Sequence, residues 1–92
     1  MATTSKQVVY RVLIVDEDAG IREMLADLLR APNRSVEMRD SARAALEFLQ
    51  HNPVDIAFVD AMLAGTGSKD LADTIRKRCP HAHVVVCAGR LS

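Results

Sequence analysis

The sequence has little of what marks specialised protein classes. Its 92 residues include no tryptophan, three prolines and two cysteines. Two cysteines without a secretion signal indicate reduced thiols rather than a disulfide framework. The 12 basic residues cancel the 12 acidic ones, so the composition gives no indication of a nucleic-acid partner. No apolar stretch is long enough to span a membrane.

Residues 1–7 are small and polar and lack the apolar core of a signal peptide. We therefore expect a cytoplasmic protein that does not contact a membrane. A chain of this length forms one domain around a single core. We expect a disordered tail at residues 1–7 and one folded domain at residues 8–92.

The hydrophobic period switches repeatedly between that of a strand and that of a helix. Strands are predicted at residues 10–15, 35–39, 55–60 and 84–86. Helices are predicted from an Asp18 cap to Leu29, from an Asp40 or Ser41 cap to about His51, and at residues 70–78. Short connections in the order βαβαβαβ require right-handed crossovers and a parallel sheet. The sequence therefore predicts an α/β fold of three layers.

Each predicted helix carries an apolar stripe, and the first helix is expected alone on its face of the sheet. The inward residues are predicted to be Ile21, Met24, Leu25, Leu28 and Leu29, then Ala42, Ala45, Leu46 and Leu49, then Leu71, Ala72 and Ile75. The fourth strand, at residues 84–86, has the composition of a buried strand. It would nevertheless lack a neighbour on one side, so we also expect an apolar edge that promotes a homodimer or recruits a partner.

Acidic residues stand where two of the predicted strands end. Asp16, Glu17 and Asp18 follow the first strand, and Asp60 ends the third. The carboxyl ends of parallel strands lie at one edge of a sheet, which is where open α/β sheets bind ligands. Crowded carboxylates repel one another unless a divalent cation neutralises them. The sequence therefore predicts a site for a hard cation at this edge.

These residues resemble the receiver domain of two-component response regulators. The resemblance rests on residues 12–18, 56–60 and 62–65 and covers about residues 10–90. It implies a flavodoxin-like sheet and a function as phosphoacceptor in phosphorelay signalling, with no enzymatic activity beyond autocatalytic phosphoryl acceptance and loss. It implies that Asp60 accepts a phosphoryl group from a histidine kinase or phosphotransfer protein. It also implies that Asp16, Glu17, Asp60 and the backbone carbonyl of Met62 hold Mg²⁺.

The sequence departs from the family pattern at its carboxyl end. Cys87 stands where the family usually has a serine or threonine that binds the phosphoryl group, and a thiol is a weaker donor than a hydroxyl. The family's fifth strand carries a lysine, and Lys6, Lys69 and Lys77 do not match its position. We therefore expect an incomplete receiver, truncated after the fourth strand. A pseudo-receiver that acts as a phosphorylation-independent interaction module is the alternative function.

Other patterns favour structural interpretations. Cys79, His81, His83 and Cys87 match no common zinc spacing and favour a polar loop leading into a strand. Residues 65–69 lack the spacing of a nucleotide-binding loop, and the basic residues 76–78 suit a helix end. The position of Asp18 favours a role as helix cap over one as metal ligand. Cys87 can equally be interpreted as a small buried residue that ends a strand or as the residue that contacts the phosphoryl group.

Overall fold

The computed structural model describes residues 9–63 and 67–87. The elements are β1 (Tyr10–Val15), α1 (Ala19–Leu29), β2 (Arg34–Arg39), α2 (Ala42–Leu49), β3 (Ile56–Asp60), α3 (Ser68–Arg78) and β4 (His83–Cys87). Their order confirms the predicted alternation of strands and helices. The expected tail at residues 1–7 and residues 64–66 of the loop before α3 lie outside the described residues. No helix in the described ranges has the length and apolarity needed to cross a membrane.

The four strands form one parallel sheet in the order β2-β1-β3-β4. Strand β1 pairs with β2 on one side and with β3 on the other, so β1 and β3 are central. Val15 stands beside Val59 in the register of β1 and β3. The two central strands therefore end side by side.

The sheet separates two apolar clusters, as the three-layer prediction requires. On one face α2 and α3 pack against β1 and β3, and Leu13, Leu71 and Ile75 in this cluster are fully buried. On the other face α1 packs through Ala26 against Val12 and Ile14. Since α1 is the helix that covers this second face, the predicted distribution of helices is confirmed.

Side-chain caps explain where two helices begin. The Asp18 carboxylate Oδ1 accepts a hydrogen bond from the Ile21 amide at 3.1 Å and caps α1. Of the two candidates for α2, the structure selects Ser41, whose Oγ accepts from the Ala44 amide at 3.1 Å.

Two helix boundaries differ from their predictions. Helix α2 ends at Leu49 rather than near His51, because the chain tightens there and the His51 amide bonds the Phe48 carbonyl three residues back. Helix α3 begins at Ser68, two residues earlier than predicted, after Gly67 adopts φ +93°. Glycine permits that left-handed turn into the helix.

The predicted apolar stripe of α1 is wider than the face that the helix buries. Leu25 and Leu29 are half-buried against the sheet, whereas Met24 and Leu28 are exposed, the latter by 72%. The prediction that Met24 and Leu28 face inward is wrong. Periodicity locates an apolar face, but burial depends on what packs against that face.

Strand β4 is also less buried than its composition predicts. Val84 packs against the α2 and α3 cluster, but Val85 and Val86 are exposed. Among the described residues β4 pairs with β3 alone and forms the edge of the sheet. The expectation of a buried strand is therefore wrong, and the expectation of an apolar edge is confirmed.

Candidate functional site at the carboxyl ends of β1 and β3

Asp16 and Asp60 lie at the adjoining carboxyl ends of the two central strands. Asp16 follows directly after β1 and Asp60 is the last residue of β3. Their exposures are 5% and 8%, and within the described ranges they are the buried charged residues. Burying a charged carboxylate costs free energy unless other groups compensate its charge. Two buried carboxylates side by side therefore indicate a candidate functional site.

A local backbone amide holds each of these carboxylates. The Asp18 amide donates to Asp16 Oδ1 at 2.8 Å, and the Met62 amide donates to Asp60 Oδ1 at 2.9 Å. In both cases the donor lies two residues further along the chain, in the loop that leaves the strand. The two loops therefore fix the orientation of the two carboxylates.

The carboxylates of Asp16 and Asp60 interact unfavourably when both are charged. Burial raises the pKa of Asp16 above its ordinary value of 3.8, and the negative charges of Asp60 and Asp18 raise it further. The hydrogen bond from the Asp18 amide opposes this rise, while a side-chain hydrogen bond with Asp60 adds to it. A divalent cation between the two groups would remove the repulsion.

Two more acidic residues, Glu17 and Asp18, follow Asp16 in the loop after β1. Glu17 is exposed, and Asp18 is occupied as the cap of α1, which confirms its predicted structural role. In residues 9–63 and 67–87, no group of three or more histidine, cysteine or acidic side chains is arranged as a metal site. The structure thus brings Asp16 and Asp60 together and leaves Glu17 at the rim.

Cys87 approaches the carboxylate pair from β4. It stands opposite Asp60 in the register, and its carbonyl accepts a hydrogen bond from the Ala61 amide at 2.8 Å. Burial raises the pKa of the Cys87 thiol, and the charges of Asp16 and Asp60 raise it further. The thiol is therefore a neutral neighbour of the two carboxylates.

Two groups that shape this site are not predicted from the sequence. The first is the Met62 amide, which orients Asp60, and the second is Arg22, whose Nη1 donates to the carbonyls of Asp16 and Glu17 at 2.7 and 3.1 Å. Arg22 lies one turn into α1, so a basic residue soon after an acidic loop was the available signal.

The donor set fits a hard divalent cation. Carboxylate and carbonyl oxygens are the ligands that Mg²⁺ takes, and it tolerates a site that supplies a few of them while waters supply the rest. Asp16 and Asp60 provide two such carboxylates at one edge of the sheet, with mutual repulsion that a cation would relieve.

Residues 12–92 match the family described as response regulator receiver domain. The chain belongs to this family. Receiver domains are the regulatory, signal-receiving parts of two-component systems rather than classical enzymes. This receiver domain has the predicted strand and helix order of its family, up to the end of the described residues.

Two curated relatives are response regulators of greater length. The receiver domain is 33% identical over 76 residues to the response regulator protein FleR of Pseudomonas aeruginosa, covering 83% of this chain and 16% of the relative. It is 33% identical over 78 residues to the heme response regulator HssR of Staphylococcus epidermidis, covering 85% of this chain and 34% of the relative. The chain therefore spans about a third or less of these proteins.

Solved structures share the fold. A CheY-like receiver domain protein from Methanospirillum hungatei JF-1 matches with a TM-score of 0.81 at 24% identity, over 91% of this chain and 67% of that one. A response regulator from Burkholderia pseudomallei, solved with a phosphorylated aspartic acid, a calcium ion and citrate, matches with a TM-score of 0.80 at 20% identity, over 90% and 49%.

Proposed function

We propose that this receiver domain accepts a phosphoryl group on Asp60 from a histidine kinase or a histidine phosphotransfer protein. The observation that carries the proposal is the burial of Asp60 beside Asp16 at the end of β3, in a chain that matches the receiver family. The Burkholderia pseudomallei structure, with its phosphorylated aspartic acid, supports the same chemistry. We place this signalling in the cytoplasm, where free thiols such as those of Cys79 and Cys87 persist.

We further propose that Asp16, Glu17, Asp60 and the backbone carbonyl of Met62 bind Mg²⁺. When bound there, the cation would neutralise the oxygens of the incoming phosphoryl group, without which a carboxylate does not attack phosphorus. The protein's own contribution is to hold Asp60 still, and the Met62 amide does so from a distance of 2.9 Å. The raised pKa of Asp16, caused by burial and neighbouring charge, supports a cation site.

Cys87 is proposed to stand beside the phosphoryl group, where relatives usually carry a hydroxyl. Its register opposite Asp60 supports this position. Because a thiol donates a weaker hydrogen bond than a hydroxyl, we expect Cys87→Thr to stabilise the phosphorylated state. The lifetime of the phosphorylated protein, followed by intact mass, should then increase.

Phosphorylation is tested by incubating the protein with Mg²⁺ and acetyl phosphate and measuring its intact mass. The mass should rise by one phosphoryl group, and hydroxylamine should remove it because the product is an acyl phosphate. Asp60→Asn should not gain the group. Asp55→Asn is the matched control, since Asp55 directly precedes the same strand, at the end opposite Asp60. A wild-type protein that gains no mass would favour the pseudo-receiver alternative.

We also propose that the 92-residue chain associates through the apolar edge at β4, either with a second copy or with a partner that covers it. Val85 and Val86 are exposed on this edge, by 39% and 47%. The other edge, β2, carries charged residues such as Glu37 and Arg39, which discourage edge pairing. Among the described residues β4 pairs with β3 alone, so its outer edge and exposed valines favour association there.

Sedimentation at micromolar concentration tests the association. The wild-type chain should form a dimer or larger species, and Val86→Lys should shift it toward the monomer. Met24→Lys is the control, because it places the same charge at an exposed apolar position on α1. A folded wild-type monomer whose Val84 to Val86 amides exchange slowly would contradict the proposal.

A further inference from the structure

Arg22 binds the loop that carries the predicted metal ligands. Its Nη1 donates to the Asp16 carbonyl at 2.7 Å and to the Glu17 carbonyl at 3.1 Å. The side chain reaches back from the first turns of α1, where the Arg22 amide bonds the Asp18 carbonyl. One guanidinium nitrogen therefore ties two consecutive peptide groups to the start of the helix.

Those two peptide groups flank Glu17. The peptide group that contains the Asp16 carbonyl lies before Glu17, and the one that contains the Glu17 carbonyl lies after it. Because each peptide group is planar, fixing both determines the backbone dihedral angles of Glu17 and thus the direction of its Cα–Cβ bond. Glu17 is exposed, and the two bonds from Arg22 add a backbone constraint on that direction.

Two further bonds of the loop hold Asp16. Its amide donates to the Arg39 carbonyl of β2 at 3.1 Å, and its Oδ1 accepts from the Asp18 amide at 2.8 Å. If the peptide between Asp16 and Glu17 turned, the Asp18 amide would move away from Oδ1. Arg22 therefore acts on the carboxylates of Asp16 and Glu17 through the backbone of the loop.

We propose that Arg22 is a positioning residue that orients Glu17 and Asp16 toward the divalent cation, an inference that rests on the proposed Mg²⁺ site. Mutating a group that orients metal ligands without contacting the metal typically lowers metal affinity about 10-fold to 100-fold. We expect Arg22→Ala to lie at the lower end and to weaken Mg²⁺ binding about tenfold. Arg22→Lys keeps the charge but loses the planar guanidinium, so it should restore affinity in part.

Arg34 provides a matched control at the other end of the same helix. Its Nη1 donates at 3.0 Å to the carbonyl of Leu29, the last residue of α1, away from the acidic loop. Arg34→Ala thus removes a bond of the same kind, between a guanidinium and a carbonyl. Both alanine variants should lose thermal stability, and Arg22→Ala should lose more because it removes two such bonds, while only Arg22→Ala should bind Mg²⁺ more weakly.

The test has a metal-free readout and a metal titration. In EDTA, hydrogen exchange of the Asp18 amide should be faster in Arg22→Ala than in wild type and unchanged in Arg34→Ala. Calorimetric titration with Mg²⁺ should then give the tenfold loss. Unchanged Asp18 exchange, or equal losses of affinity in both variants, would overturn the inference. If wild type itself bound no Mg²⁺, the proposed function would fail, while faster Asp18 exchange would still support the loop-positioning role.

Discussion

Aspartates at the two ends of the parallel sheet meet very different surroundings. At the amino end, Asp55 Oδ2 accepts a hydrogen bond from the Arg11 amide at 2.7 Å, and its backbone bonds Arg11 and His83. Asp55 thus connects the starts of three strands. At the carboxyl end, Asp16 and Asp60 accept hydrogen bonds from amides of their own loops and face each other.

The difference separates a carboxylate that stabilises the fold, Asp55, from two carboxylates that the fold orients, Asp16 and Asp60. Asp55 satisfies a donor on a neighbouring strand, so its removal leaves that donor without its partner. The Asp16 and Asp60 side chains meet each other and the amides of their own loops rather than a donor on a neighbouring strand, and their proximity carries an electrostatic cost. A cost of this kind is retained where a ligand removes it, which is why the carboxyl end is the candidate site.

The largest expected effect is on Mg²⁺ affinity. Asp60→Asn should lower the affinity by at least about tenfold, because it removes a charged ligand rather than a group that orients one. Asp18→Asn should matter less, since the Asp18 side chain is committed to capping α1. Asp55→Asn should have no effect. Calorimetric titration measures all three, and equal losses in Asp60→Asn and Asp18→Asn would contradict the assignment of ligands.

Stability in the absence of metal should change in opposite directions at the two ends. In EDTA, Asp16→Asn should raise the free energy of unfolding by about 1 kcal/mol, because it removes a buried negative charge beside Asp60 and keeps an oxygen for the Asp18 amide. Asp55→Ala should lower the free energy of unfolding by about 1 kcal/mol, since the Arg11 amide loses its acceptor. Urea titrations measure both.

The same variants should also differ in how much added Mg²⁺ stabilises them. At one fixed, saturating concentration, Mg²⁺ stabilises a protein more when it binds more tightly, so it should stabilise wild type more than Asp16→Asn. Asp55→Ala should gain as much from Mg²⁺ as wild type does. A lower melting temperature for Asp16→Asn than for wild type in EDTA would show that the two carboxylates do not repel.

The sequence predicts the chemistry of the carboxyl end better than its geometry. Apolar runs that end in Asp16 and Asp60 indicate strands, and the strand order then brings the two residues together. Cap chemistry indicates Asp18, which the structure confirms. The bond from Arg22 to the loop carbonyls depends on the path of a backbone turn, and no periodicity encodes that path.

Burial at the periphery of the sheet is the least predictable feature. Val84, Val85 and Val86 form a uniform apolar run, yet only Val84 packs against a cluster. Leu28 has the spacing of a buried residue on α1 and is exposed. In both places the local pattern is correct, and the outcome depends on whether another element covers the residue, which is a property of the whole fold.

The smallest expected effect is the pH dependence of the difference between wild type and Asp16→Asn. Burial raises the pKa of Asp16 in the folded state above its ordinary value of 3.8, so below that value the group is protonated in both the folded and unfolded states and carries no penalty. As the pH rises from there through the raised pKa, the folded state holds a proton that the unfolded state has released, and wild type loses stability relative to the variant. Above the raised pKa the difference stays constant, and it remains small because the Asp18 amide stabilises the charged form.

Urea titrations in EDTA at a series of pH values, from below 3.8 to neutral, should therefore show the advantage of Asp16→Asn growing with pH and then levelling. Asp18→Asn serves as the control for a charge removed from the same loop. An advantage that is largest in acid would reverse the sign and show that the carboxylate of Asp16 is stabilised, rather than penalised, by its place beside Asp60.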